Sequence, residues 1–590
     1  VSAREDGSAG RPAAVLAAAV FAAVSLAGAG VLAEEPAPAP RIAFNRFYDY
    51  DQTVRLLREL VAAYPRFLRL ASIGKSVEGR DMWMVTVANP DTGPEDGKSA
   101  MYIDANIHGN EVQGTEVCLY TIQYLMERYP RLPRVKALVD ERVFYILPMV
   151  NPDGRAYWFA GPNTDSSSRS GKKPIDDDGD GAFDEDGYDD IDGDGEVLVM
   201  WKPDPHGNFR RNRDDPRLLE RVKPGDAGEF IRLGLEGLDN DGDGRLNEDP
   251  PGGYDMNRNW PGDWQPEPIQ NGAGDYPLSW PETRAIAEFI LSKPNIAGLQ
   301  AFHNAGGMIL RGPGDQALGE YPAPDVRVYE ELGQTGEFML PFYRYMILWR
   351  DLYKVHGGFI GWAYEELGIF SFTNELWNTG QYRNIARPER GEFRDFDASA
   401  AERLKWDDLL ELEEQFIPLK PARHPLYGEI YLGGFRKTHG RTPPLFLLEE
   451  LCHRNAVFTL YHASEMPKAR VRSVEVERLA GSTFQVTVTI ENQGAIPTRA
   501  AIAAARGIGK PDLLEVSGAG ITVLSGGRLA DRFQGIVEHV EREPHRLRIE
   551  SGIPGKGAAA FRFLVRGEGE ATIRYRSEKG GRLEARAALR

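Results

Sequence analysis

His108 and Glu111 stand three positions apart at the end of the apolar run 100–107. Neutral imidazole and carboxylate are both zinc donors, and a catalytic zinc takes three protein ligands while leaving one position for water. One distant histidine would complete such a set. Taken alone, such a pair is more often a loop histidine beside a glutamate that favours the N-terminal dipole of a helix. Among the ten histidines, His303 stands out because the preceding run 296–302 is apolar enough for a buried strand that would carry it to a strand end. Asn151-Pro152-Asp153-Gly154 forms a turn directly after the strand-like run 143–150.

The elements that must position these residues alternate along the chain. Leu56, Leu57, Leu60 and Val61 repeat at helical spacing until Tyr64-Pro65 stops them, and 82–87 then alternates as a strand. A helix beginning at Glu111 leads to the strand at 143–150. This order predicts an α/β sheet with helices on both faces, in which ligands collect at the carboxyl ends of strands. After Met466-Pro467 the segments 471–476, 483–490, 560–565 and 571–575 alternate apolar and polar residues between Gly-rich turns, which predicts an all-β sandwich without a convincing helix.

Between 174 and 251 the pattern gives way to an acidic, Gly-rich insertion. Three segments share one spacing: Asp176, Asp178, Asp180 before Gly181; Asp190, Asp192, Asp194 before Gly195; and Asp239, Asp241, Asp243 before Gly244. Alternate carboxylates followed by a glycine for the sharp turn suit a loop wrapped around calcium. Asp184 and Asn247 add an oxygen at the ninth position of the first and third loops, so calcium is expected to order the insertion. These clusters also account for much of the net charge of -18, a distribution that argues against nucleic acid as the main partner.

The 590 residues require more than one domain. Residues 1–33 are expected to be an export signal, with Arg4 and Arg11 ahead of an Ala/Val/Leu-rich run ending in Val31-Leu32-Ala33. The alternative is a retained anchor. Residues 34–46 are expected to be a linker, 47–466 the catalytic domain, and 467–590 the sandwich. The product is expected to be secreted or periplasmic, with no stable membrane span after cleavage. Cys118 and Cys452 lie in apolar helix-like segments and are expected to be buried free thiols.

Two further stretches complete a family pattern: Asp255-Met256-Asn257-Arg258-Asn259-Trp260 and Phe372-Thr373-Asn374-Glu375-Leu376. With His108-x-x-Glu111, the Asn151 turn and His303, in this order, the chain resembles the zinc metallocarboxypeptidases of the carboxypeptidase A type over roughly 47–463. Tyr353, Gly357-Gly358, Trp362, Tyr364 and Glu375 keep the family's relative spacing without a gap. The resemblance implies a mixed, mostly parallel sheet, a zinc ion on His108, Glu111 and His303, and Asp255 orienting a ligand imidazole. It implies Glu375 as general base toward zinc-bound water. Asn257 and Arg258 would bind the C-terminal carboxylate of a peptide or protein substrate, with Tyr353 closing over it and Ile360 reading an apolar terminal side chain.

The match is interrupted where the family places an oxyanion-stabilising arginine shortly after the Asn-Pro-Asp-Gly turn. Arg169 is expected to fill that role because it precedes the insertion, with Arg210, Arg211 and Arg213 as alternatives. Two other readings stand beside the carboxypeptidase: an amidohydrolase for peptidoglycan or γ-glutamyl peptides on the same zinc core, and an inactive calcium-dependent binding protein.

Overall fold

The computed structural model describes residues 37–167, 171–176, 178–383 and 399–590. The expected signal segment 1–33 and Arg169 lie outside the described residues. An eight-stranded sheet runs Leu68–Lys75, Asp81–Val87, Arg142–Leu147, Ser99–Ala105, Ile296–Asn304, Phe370–Leu376, Met308–Arg311, Arg344–Ile347. Its four central strands, from Arg142–Leu147 to Phe370–Leu376, are mutually parallel, and antiparallel pairs flank them. Every residue of Arg142–Leu147, Ser99–Ala105 and Ile296–Asn304 is buried. That two-sided burial explains why they read as continuous apolar runs.

Alternate residues of each strand feed two cores. Met101, Ile103 and Ala105 meet helices Tyr50–Ala63, Gln113–Arg128, Ala323–Met339 and Leu448–Ser464 on one face. Ala100 and Tyr102 meet Pro281–Leu291 and Phe359–Glu365 on the other. Cys118 and Cys452 are buried and free.

The insertion is more ordered than its composition predicts. Val199–Pro203, Phe230–Leu235, Phe209–Arg211 and Leu219–Arg221 join Phe416–His424 and Gly428–Phe435 in a six-stranded antiparallel sheet. Its small core is Met200, Ile430 and Leu432. The expected linker also differs in part, since Ile42 and Phe44 are buried in the first core.

The C-terminal region holds a five-stranded and a four-stranded antiparallel sheet around Phe484, Val486, Leu514, Phe561, Phe563 and Ile573. It contains one helix that the alternation did not predict, Ala501–Arg506. Asp325 of the α/β body accepts hydrogen bonds from the amides of Ala501 and Ile502, both at 3.0 Å, so the helix starts only where the other region meets it.

Candidate active site

His108 lies just past Ser99–Ala105, His303 near the end of Ile296–Asn304 and Glu375 near the end of Phe370–Leu376. The site therefore gathers at the carboxyl edge of the parallel strands. Asn106 shapes the first turn: it adopts a left-handed backbone (φ 61), and its Nδ2 donates to the carbonyls of His108, Gly109 and Glu111 at 2.8, 3.0 and 3.3 Å. The turn thereby bends the two side chains toward one point.

His108, Glu111 and His303 are all buried, and their ligating atoms converge. His108 Nδ1 lies 2.8 Å from Glu111 Oε1, and His303 Nδ1 lies 3.0 Å from Glu111 Oε2. The two Nδ1 atoms are 3.3 Å apart, matching the roughly 3.3 Å between donors that a tetrahedral zinc with ligands at about 2.0–2.1 Å requires. Asp255 Oδ1 sits 2.9 Å from His108 Nε2. A carboxylate there accepts a hydrogen bond from the Nε2–H, which leaves the Nδ1 lone pair facing the cluster. Burial alone would raise the Glu111 carboxyl, but the two imidazoles, by charge and hydrogen bonding, hold it well below the usual carboxylate range. This donor set fits zinc.

Glu375 pairs with His303 in the register of the two neighbouring parallel strands. Side chains at paired positions share one face of a sheet, so Glu375 sits beside the cluster. Asp255 also starts the short turn Met256–Arg258, accepting the Asn257 amide at 2.8 Å. Asn257 Oδ1 accepts the amide of Phe359 at 2.9 Å. Arg258 donates through Nη1 to the Asn257 carbonyl and lies 3.8 Å from Asp255 Oδ2, largely shielded by the body and unpaired with the acidic insertion among the described residues. Buried Asn259 and Trp260 anchor the motif: Asn259 Nδ2 donates to the carbonyls of Ala273 and Tyr276, and Trp260 packs on Phe359 and Trp362.

Tyr353 is half exposed, on a segment held by the Val355 amide to the Gly314 carbonyl (2.9 Å) and by His356 Nδ1 to Asp263 Oδ2 (2.7 Å). Gly357 has φ +60, and a Cβ there would meet the Arg258 carbonyl at 2.2 Å; only glycine lets the Tyr353 and Arg258 segments approach so closely. Ile360 is buried in the second core. Arg210 is paired with Glu220 at 2.8 Å, and Arg211 donates to the Pro216 carbonyl, so both are engaged within the insertion sheet.

The motif reading missed Arg441, which reaches the site from beyond the Gly428–Phe435 strand. Its Nη2 donates to the Asn304 carbonyl at 2.6 Å and lies 3.6 Å from Glu111 Oε1. Its own carbonyl accepts Gln113 Nε2 and Asn304 Nδ2. The Asn304 side chain directly after His303 was the available signal, an unusual polar residue at a strand end that needs partners.

The protein is thus of the α/β class, with a buried two-histidine, one-glutamate cluster that could hold a metal ion at the carboxyl edge of a mostly parallel sheet. A model described as zinc carboxypeptidase matches residues 53–196 and 232–398, more than half of the chain, and the chain belongs to that family. A second model, described as a domain of unknown function, matches 468–588. A zinc carboxypeptidase of Saccharothrix mutabilis subsp. capreolus is 35% identical over 114 residues, 19% of this chain and 26% of that protein. Carboxypeptidase D of Mus musculus is 37% identical over 114 residues, 19% of this chain and 8% of that protein. The chain thus matches about a quarter or less of the length of these relatives. The crystal structure of carboxypeptidase A from Helicoverpa armigera aligns over 61% of this chain and 71% of that chain, with 20% identity and a TM-score of 0.41.

Proposed function

We propose that this protein is an exported zinc carboxypeptidase that removes C-terminal residues from peptides. The observation that carries the reading is the convergence of His108 Nδ1, Glu111 and His303 Nδ1, with Glu375 in register beside His303. His108, Glu111 and His303 would hold the ion, which when bound supplies Lewis acidity toward water and the scissile carbonyl. Asp255 keeps the His108 imidazole in the tautomer that leaves Nδ1 free to ligate. Glu375 takes a proton from the attacking water and delivers it to the leaving amine. Arg258, beside Asn257, pairs with the free terminal carboxylate through its planar guanidinium, which makes the activity exopeptidic. Tyr353 closes over that end, Ile360 favours apolar terminal residues, and Arg169 is the proposed oxyanion donor. The acidic loops bind calcium in this reading, and the amino-terminal segment directs export. Among the described residues no helix is long and apolar enough to cross a membrane.

The test is release of C-terminal amino acids from a peptide library before and after zinc chelation, with Glu375→Gln alongside. Chelation abolishes release, and Glu375→Gln lowers kcat roughly 100- to 10,000-fold with zinc content retained. Release that survived both treatments would overturn the proposal.

A further inference from the structure

The acidic loops 176–186 and 239–249 repeat one pattern to its end: Asp at the first, third and fifth positions, Gly at the sixth, Asp or Asn at the ninth, then Glu-Asp. The two copies meet. An isolated antiparallel bridge joins Asp186 to Asp249, the Asp184 amide donates to Asp249 Oδ2 at 3.0 Å, and Asn240 Nδ2 donates to Asp186 Oδ1 at 3.2 Å. This crossing brings the closing acids of one loop beside the central acids of the other. Carboxylate oxygens of Asp180, Glu185 and Asp241 lie within 4.8 Å of one another, as do those of Asp186, Asp241 and Glu248. Asp241 belongs to both groups.

Protein cations neutralise other parts of the insertion but not this junction. Lys420 pairs with Asp192 and Asp194 of the second loop, and Arg245 pairs with Asp178 and Asp243. Among the described residues, no Lys, Arg or His forms an ion pair with Asp180, Glu185, Asp186, Asp241 or Glu248. Asp186 is fully buried, yet its Oδ2 has no hydrogen-bond partner, and neither do Glu185 Oε2 or the two carboxylate oxygens of Glu248. Burial pushes the Asp186 carboxyl up. Uncompensated carboxylates gathered at this density and partly withdrawn from water require either protons or an external cation.

We infer that a calcium centre bridges the two loops at their junction, with Asp241 shared between Asp180 and Glu185 on one side and Asp186 and Glu248 on the other. An all-oxygen, carboxylate-rich site without sulfur or imidazole suits a hard cation that takes six to eight oxygen ligands in flexible geometry. The inference deepens the calcium reading above by moving the ion from separate loops to their shared interface. From this junction the chain passes through Pro250-Pro251-Gly252-Gly253 into Asp255 and Arg258. The ion would therefore anchor the segment that presents the carboxylate-binding arginine.

The test titrates calcium into the full zinc-loaded chain by calorimetry and follows thermal unfolding in calcium and in EGTA. Asp241→Asn and Asp186→Asn each weaken the tightest calcium step at least about tenfold, while Asp226→Asn, at an exposed acid of the insertion outside the three loops, leaves it unchanged. Asp241→Asn also reverses sign in stability: without calcium it relieves repulsion and raises Tm, and with calcium it lowers Tm. Unchanged affinity in Asp241→Asn, with loss in Asp176→Asn, would return the ion to a single loop and overturn the junction. Absence of calcium binding by the wild-type chain would overturn the calcium reading altogether.

Discussion

At the scale of single residues, the turn that carries two of the candidate metal ligands is held by a side chain outside the ligand set. Asn106 ties three carbonyls of the His108–Glu111 turn while holding a left-handed backbone. Asparagine tolerates that conformation better than alanine. Asn106→Ala should weaken zinc binding about 10- to 100-fold in chelator competition, the size usual for groups that orient ligands, with the circular dichroism spectrum retained. Wild-type affinity in that variant would show that other contacts hold the turn. The candidate ligands and Glu375 were legible because each sits in a short ordered motif at a strand end. Asn106 and Arg441 were not. One acts through backbone geometry, and the other arrives from a segment 137 positions beyond the residue it contacts.

At the scale of elements, the Pro281–Leu291 helix buries an acid at its first turn. Glu282 is fully buried and accepts the Val77 amide at 3.0 Å, and burial pushes its carboxyl up to about 7. The native state therefore keeps a proton that the unfolded chain releases near 4.5. This group's contribution is fully present below that value and is lost as pH rises toward about 7. Glu282→Gln keeps an acceptor for Val77 and should raise Tm more at about pH 8 than at about pH 5. An equal shift at both values would exclude the titration. The parallel strands were readable as apolar runs because both faces are buried. The insertion sheet was not, since Tyr431 pairs with Trp201 across a sequence separation that no local pattern records, and the surrounding aspartates hide its short strands.

At the scale of the whole molecule, the sandwich is built into the α/β body. Ile496, Ala500, Ile502 and Ala503 belong to the same core as Tyr329, Tyr364, Phe370 and Phe372. Arg142 donates to the carbonyls of Met466 and Pro467 at 2.9 and 2.7 Å, and the partly buried Lys579 donates to those of Leu367 and Gly368 at 2.8 and 2.7 Å. Asp325 combines its two amide contacts with the Tyr364 hydroxyl at 2.7 Å. Asp325→Ala should cost about 3 kcal/mol through the lost helix cap and the hydroxyl left buried without its acceptor. Urea unfolding followed by tryptophan fluorescence measures this, and a loss below about 1 kcal/mol would mean that the contacts are dispensable.

The shared core also sets an order of events during synthesis. Phe370 and Phe372 lie on the strand that carries Glu375, in one core with Ile496, Ala500, Ile502 and Ala503, residues made more than a hundred positions later. A ribosome that has delivered every candidate ligand has not yet delivered the last side chains of that core. The emerging chain consequently carries every candidate ligand in an unfinished core until the C-terminal sheets have docked.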